Sequence, residues 1–316
     1  MEAAQIKELS EKIRNNISKV IVGKEDVINK VLTALFCSGH VLLEDVPGTG
    51  KTSLAKSLSK SINCNFKRIQ FTPDLLPSDL TGINYYNQKQ QEFVFREGPI
   101  FANIVLADEI NRATPRTQSS LLECMEECQV TIDGVTKQLT RPFFVIATQN
   151  PVEIQGTFPL PEAQLDRFFM RLKIGYPTVD EGKAILDRFQ KQNPLPSINS
   201  VASAEEIIEV QDSISHIEVS DDVKKYIIDM VEATRKHEKI VLGISPRGSI
   251  ALMRGAQAYA AINGRDFVTP DDVKYIAPSV LSHRIILKSH AITSGAENSE
   301  AIIKEIMDKV PVPIEE

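Results

Sequence analysis

The chain has 316 residues, of which 42% are apolar and 25% charged, with a net charge of −6. That length exceeds one typical domain and points to two folded parts with a core of ordinary size. The acidic balance argues against a general binder of nucleic acid or anionic membrane. No apolar run approaches the roughly 20 residues that a membrane helix needs, so direct membrane insertion is not expected. Met1 to Ser18 is charged and amphipathic and lacks the apolar stretch of a signal peptide. The four cysteines, Cys37, Cys64, Cys124 and Cys128, form no CxxC pair. Cys124 and Cys128 read as two small, partly buried residues of one helix rather than half of a metal site, and the chain reads as cytoplasmic and reduced.

Taken in order, the pattern predicts helices over about Ala4 to Lys19 and Lys24 to Cys37, then a short apolar strand at His40 to Glu44. A Pro/Gly-rich turn follows, then a helix from Lys51 to Ile62 with Leu54, Leu58 and Ile62 on one face. Further strands are expected at Phe66 to Phe71, Asn103 to Ala107, Phe143 to Ala147 and Met170 to Ile174, with a helix at Pro115 to Gln129. Strands alternating with helices imply an α/β fold, a parallel sheet wrapped by helices. Two hairpins interrupt it. Asn84 to Arg96 is polar and aromatic, with Tyr85 and Tyr86 near its tip. Gln129 to Thr140 turns at Asp133-Gly134, a strong hairpin signal. After Gly175-Tyr176-Pro177 only helical patterns remain, opened by the cap-like pairs Thr178/Glu181, Ser203/Glu206 and Thr269/Asp272. The expected division is residues 1–176, an αβα core with N-terminal helices, and 177–316, an all-α second domain whose last residues, 311–316, fray.

Asp45-Val46-Pro47-Gly48-Thr49-Gly50-Lys51-Thr52 lies between a strand and a helix, where a phosphate-binding loop has to be. Glycines let the backbone curl so that several N–H groups point inward, and the helix N-terminus adds its dipole. Lys51 is placed to reach β- and γ-phosphates, and the Thr52 hydroxyl to ligate Mg²⁺. The full pattern has a glycine where this chain has Asp45; the amides that wrap a phosphate belong to Gly48 through Thr52, so the departure matters less than it looks. Ile104 to Glu109 is an apolar strand ending in two carboxylates. Asp108 suits a metal-holding role and Glu109 that of a base that polarises an attacking water. The bland alternative, an acidic strand end, loses force beside a phosphate loop. Asn150 follows the next buried strand and would contact the γ-phosphate or the water, unless it merely caps the strand before Pro151. Arg167 and Arg171 are both candidates for a transition-state arginine, or for ordinary ion pairs with Glu162 or Asp166. Arg247 opens a helix of the second domain, where it reports nucleotide state or simply meets solvent.

These stretches together resemble the AAA+ ATPases, and among them the MoxR family. The resemblance rests on residues 39–48, 68–79, 98–103, 106–113, 147–151 and 160–168, in order, and on Ser245-Pro246-Arg247. It implies a P-loop ATPase core with two hairpin inserts and a helical lid, binding ATP or ADP and Mg²⁺. Lys51 and Thr52 match Walker A, with Pro47, Gly48, Thr49, Gly50 and Ser53 around them. Asp108 and Glu109 match Walker B, Asn150 sensor 1, Arg167 the arginine finger and Arg247 sensor 2. Val20 to Gly23, Val22 and Gly23 included, matches the segment beside the adenine. The resemblance further implies a ring, usually a hexamer, with the finger offered to the neighbouring subunit and sensor 2 acting either within the subunit or across the interface. It implies chaperone-like action on a client protein, of the kind that carries a von Willebrand factor A domain. A nucleic-acid motor is the competing class. It wants a basic pore, whereas the inserts carry only Lys89, Asp133 and Lys137 near their tips. Tyr85 and Tyr86 are candidates for client contact or for packing within their hairpin.

Overall fold

A computed structural model describes residues 1–151, 156–191, 193–288 and 299–313. Residues 314–316, part of the stretch expected to fray, lie outside them. Two helices open the chain, α1 (Ala3–Ser18) and α2 (Glu25–Phe36). The five-stranded sheet is β1 (Val41–Glu44), β2 (Phe66–Gln70), β5 (Ile104–Asp108), β8 (Phe144–Gln149) and β9 (Met170–Leu172), in the order β2-β5-β8-β1-β9. Every pairing in it is parallel. The central strands are apolar on both faces because helices cover both. On β1, Val41 and Leu43 enter one core with α1, α2 and α3 (Lys51–Ser61), while Leu42 enters another against α5 (Pro115–Glu127). Parallel strands put their C-terminal ends on one edge. The register there pairs Gln70 with Asp108 and Glu44 with Gln149, so the loops bearing the motif residues emerge together.

The two inserts are antiparallel hairpins. The first, reached through α4 (Pro77–Thr81), is β3 (Gly82–Asn87) with β4 (Glu92–Glu97), and the second is β6 (Gln129–Ile132) with β7 (Val135–Gln138). The first turns at residues 88–91, and Tyr85 and Tyr86 sit on β3 just before that turn. The two hairpins touch. Asn84 donates to Asp133 Oδ2 at 2.7 Å, and Lys137 Nζ lies 4.5 Å from the centre of the Phe95 ring.

A short helix α6 (Glu162–Leu165) precedes β9. Beyond it lie α7 (Val179–Lys191), α8 (Ala204–Ser213), α9 (Asp221–Lys236), α10 (Pro246–Ile262), α11 (Pro270–Leu281) and α12 (Ser299–Lys309). Each of the three expected cap pairs forms. Glu181 N–H donates to Thr178 Oγ1, Glu206 N–H to Ser203 Oγ and Thr269 N–H to Asp272 Oδ2. The second part is not helical throughout. Residues β10 (Ile240–Leu242) and β11 (Ile286–Leu287) pair as a small antiparallel ribbon, which three- and two-residue runs are too short to signal in sequence. The core containing α1 and α2 continues into α8, α9, α10, α11 and α12, so the N-terminal helices join the two parts. Among the described residues no helix is long and apolar enough to cross a membrane.

Candidate active site

Gly48 (φ +83°) and Gly50 (φ +93°) take left-handed backbone, which lets the loop curl before α3 begins at Lys51. A Cβ on Gly48 would meet nothing within 4 Å, and one on Gly50 only Ile21 Cδ1, at 3.9 Å. The space above the loop is a cavity of about 400 Å³, lined by Pro47, Gly48, Gly50, Lys51, Thr52, Ser53, Arg68, Gln70, Asp108, Glu109, Thr148 and Asn150. Phosphates fit this cradle: free loop amides, a helix N-terminus and a lysine converge on one concavity. Mg²⁺ fits it as well, because Thr52 and Asp108 bring a hydroxyl and a carboxylate, hard oxygen donors, into the same space. Lys51 Nζ donates to the carbonyls of Asp45 (2.7 Å) and Val46 (3.1 Å). Burial lowers its pKa, and the nearby Asp45, Asp108 and Glu109 oppose that shift.

The two carboxylates have different surroundings. Asp108 accepts from Thr148 Oγ1 at 2.6 Å and from Arg68, whose Nη2 lies 2.6 Å away. Glu109 has left-handed backbone at φ +57°, an uncommon state for a residue with a Cβ. Its N–H donates to Thr148 Oγ1 at 2.8 Å, and its Oε2 accepts from Gln70 Nε2 at 2.8 Å and from Arg112 Nε at 3.0 Å. One threonine hydroxyl thus ties the Asp108 carboxylate to the Glu109 backbone, while Gln70 and Arg112 aim the Glu109 carboxylate.

Asp45 does more than stand in for a glycine. Buried, it accepts from Val46 N–H through Oδ1 and from Ile174 and Gly175 N–H through Oδ2, at 2.8, 2.9 and 2.7 Å. The loop is therefore anchored to the segment that leaves β9.

Several expected residues lie outside the cavity. Thr49 donates to the Val46 carbonyl at 3.3 Å. Val22 and Gly23 follow Ile21, the residue whose Cδ1 lies beside Gly50. Arg167 and Arg247 are elsewhere. Arg167 Nε is 3.2 Å from Glu126 Oε2, and Arg247 Nη2 is 3.0 Å from Glu126 Oε1, so the end of α5 bridges the two. That helix starts beside the Walker B turn, and a rise of about 1.5 Å per residue puts Glu126 roughly 17 Å along it from Pro115. Arg171 is four-fifths buried on β9, with Nη1 3.7 Å from Glu44 Oε2.

Sequence reading had no role for Arg68, Gln70, Thr148, Glu126 or Arg284. The first three line the cavity from β2 and β8, a position visible once those strands are placed. Glu126 and Arg284 carry no local signal.

Residues 40–170 match the family model for the ATPase family associated with various cellular activities (AAA), and residues 232–306 match the AAA lid domain. The uncharacterized protein YeaC of Bacillus subtilis is 54% identical over 300 residues, covering 95% of this chain and 93% of its own length. Chaperone MoxR1 of Mycobacterium tuberculosis is 38% identical over 306 residues, 94% of this chain and 80% of that protein. The crystal structure of a proposed ATPase from Cytophaga hutchinsonii matches with a TM-score of 0.91 at 40% identity, over 99% of this chain and 97% of that one.

Proposed function

The chain belongs to the MoxR family of AAA+ ATPases, and we propose that it hydrolyses ATP at the interfaces between subunits of a ring, a hexamer by family resemblance. The loop amides of Gly48 to Thr52 and Lys51 bind the β- and γ-phosphates. Thr52 and Asp108 hold Mg²⁺, which when bound neutralises charge on those phosphate oxygens. Glu109, aimed by Gln70 and Arg112, accepts a hydrogen bond from the attacking water and polarises it. Asn150, at the cavity wall, hydrogen-bonds the γ-phosphate or that water. Ile21, Val22 and Gly23 flank the adenine.

One observation carries the interface reading. Among the described residues Arg68 is the sole arginine lining the cavity, and it is ion-paired to Asp108, whereas Arg167 and Arg247 sit together on Glu126 away from it. A pair of cations grouped outside its own chain's site suits the site of a neighbour. We therefore assign both the finger and sensor 2 to act in trans. Arg171, buried against Glu44, is poorly placed for either role.

MoxR1 is named a chaperone, and remodelling of a client protein, of the von Willebrand factor A-domain type, is the use we assign to the ATPase. Ile83, Tyr85, Tyr86 and Phe93 on the first hairpin are all more than two-fifths exposed, an apolar surface suited to a protein client. Tyr86 also packs edge-on to Phe93, with ring centres 5.4 Å apart. A nucleic-acid motor is less well supported, because Lys137 and Asp133 of the second hairpin are engaged with Phe95 and Asn84 of the first.

The test is ATP turnover against protein concentration for the wild type and Arg167→Ala. Specific activity should rise with concentration. In the variant it should fall on the order of 10³-fold with nucleotide binding intact. Flat specific activity and an unaffected variant would sink the assignment.

A further inference from the structure

Arg284 follows α11 in the second part of the chain, far in sequence from every motif, yet its guanidinium is directed at the turn that carries Arg167. Its Nε donates to Asp166 Oδ1 at 2.7 Å. Nη2 donates to the carbonyls of Phe168 at 2.7 Å and Asp166 at 3.3 Å, and Nη1 to that of Phe169 at 3.2 Å and to Val280. The side chain is 3% exposed. A buried cation is costly unless its donors are satisfied, and here nearly all of them go to residues on either side of Arg167. Neighbouring groups complete the clamp. Ser245 Oγ lies 3.4 Å from Asp166 Oδ2, and His283 Nε2 lies 3.0 Å from the Phe168 carbonyl.

The same guanidinium also borders the helix that carries Arg247. A Cβ on Gly248, the next residue, would stand 3.2 Å from Arg284 Cδ and 2.5 Å from Ile244 Cγ2. The start of α10 thus packs directly on the Arg284 side chain, with glycine permitting the approach. Arg167 and Arg247 then converge from the two parts of the chain on Glu126.

We propose that Arg284 is a positioning residue that fastens the Arg167 turn to the start of α10, so that Arg167 and Arg247 enter a neighbouring subunit's ATP site as one rigid unit. This rests on the trans assignment above. A lysine in its place keeps the charge, but a point cation lacks the planar fork that grips a carboxylate and four carbonyls at once. A displacement near 1 Å of a group acting on the transition state can cost about 10²-fold. Arg284→Lys should therefore lower kcat by about 10- to 100-fold while its own nucleotide affinity, measured with a fluorescent ADP analogue, stays within about twofold.

Subunit mixing separates positioning in trans from a general structural role. An Arg284→Lys subunit keeps an intact phosphate loop and Glu109, while a Glu109→Gln subunit keeps an intact finger. A 1:1 mixture of the two impaired proteins should rise to about a quarter of wild-type activity, the statistical share of productive head-to-tail interfaces. The mixture of Arg167→Ala with Glu109→Gln is the reference. If the reference regains activity and the Arg284→Lys mixture does not, the proposal is overturned and the trans finger stands. If the reference stays inactive, the trans assignment itself fails. Wild-type kcat in Arg284→Lys alone also overturns the proposal. Should that variant not fold, Asp166→Asn, which weakens the same clamp from the other side, must show the same complementable loss; a loss that mixing does not restore refutes the idea.

Discussion

Replacing Asp45 by alanine tests whether the residue at the first position of the phosphate loop is a structural tie. Its carboxylate accepts three backbone N–H groups, and the side chain is 8% exposed. A hydrogen bond to a charged group contributes about 1.5–3 kcal/mol net, and a donor left unpaired in the interior carries its full desolvation cost. The Ile174 N–H is buried and has no other partner to turn to, whereas those of Val46 and Gly175 lie nearer the surface and can recover water. The expected loss is therefore about 3 kcal/mol rather than the sum of three bonds. An unfolding entropy of about 2.1 cal/mol/K per residue makes that a fall of about 4–5 °C for a 316-residue chain melting as one unit. Thermal unfolding without nucleotide, at constant pH and salt, reads it directly. Asp45→Asn keeps one acceptor oxygen and should fall between. The decisive variant is Asp45→Gly, which restores the commoner loop sequence. If it melts within about 1 °C of wild type, the tie to residues 174 and 175 is not holding the structure and the reasoning fails.

Glu109→Gln should leave nucleotide affinity within a few-fold and reduce steady-state phosphate release by about 10²- to 10⁴-fold, the range of a lost general base; release near the wild-type rate would remove Glu109 from that role. Arg68→Ala frees Asp108 of a cation. Because Arg68 is about half exposed, the ion pair is worth at most about 1 kcal/mol, so Mn²⁺ titrated by electron paramagnetic resonance in the presence of ADP should bind up to about fivefold more tightly, and weaker binding would contradict the competition. His40 is buried, accepts from Val145 N–H through Nδ1 and faces the Met125 carbonyl through Nε2, and burial lowers its pKa from 6.5 to about 4. His283 is shifted in the same direction by burial and by Arg284. The unfolded chain takes up these protons near pH 6.5 and the folded chain does not, so their contribution is complete above pH 6.5 and is lost as pH falls towards 4, by up to about 1.4 kcal/mol per pH unit for each histidine. Unfolding midpoints at pH 7.5, 6.5 and 5.5 should therefore fall with acidity, and a midpoint that rises on acidification would contradict it.

The core of the fold was legible because its signals are local. The apolar runs of β1, β5 and β8 and the turn chemistry at Gly48, Gly50 and Asp133-Gly134 each occupy a few adjacent residues, and so do the Walker motifs. The pairs that finish the site are not local. Gln70 meets Glu109 and Arg68 meets Asp108 only because β2 and β5 are neighbours in register. Glu126 meets Arg167 and Arg247 only because α5 runs from the Walker B turn to the start of α10. The β10–β11 ribbon was missed for the same reason, its two short runs lying more than 40 residues apart.

The segment from Asp166 to Gly175 gathers these long-range contacts onto ten residues. At its start, Asp166, Phe168 and Phe169 are gripped by Arg284, His283 and Ser245 from the second part of the chain. In its middle, β9 pairs with β1, the strand that leads into the phosphate loop. At its end, Ile174 and Gly175 are held by Asp45 of that loop. Any shift of the loop on nucleotide binding therefore acts through two sets of hydrogen bonds, the β1–β9 ladder and the Asp45 tie, and both fall on the chain that follows the Arg167 turn, on β9 and just beyond it. On the proposed trans assignment, a subunit's own phosphate loop and the finger it offers next door are fastened to opposite ends of this one short segment.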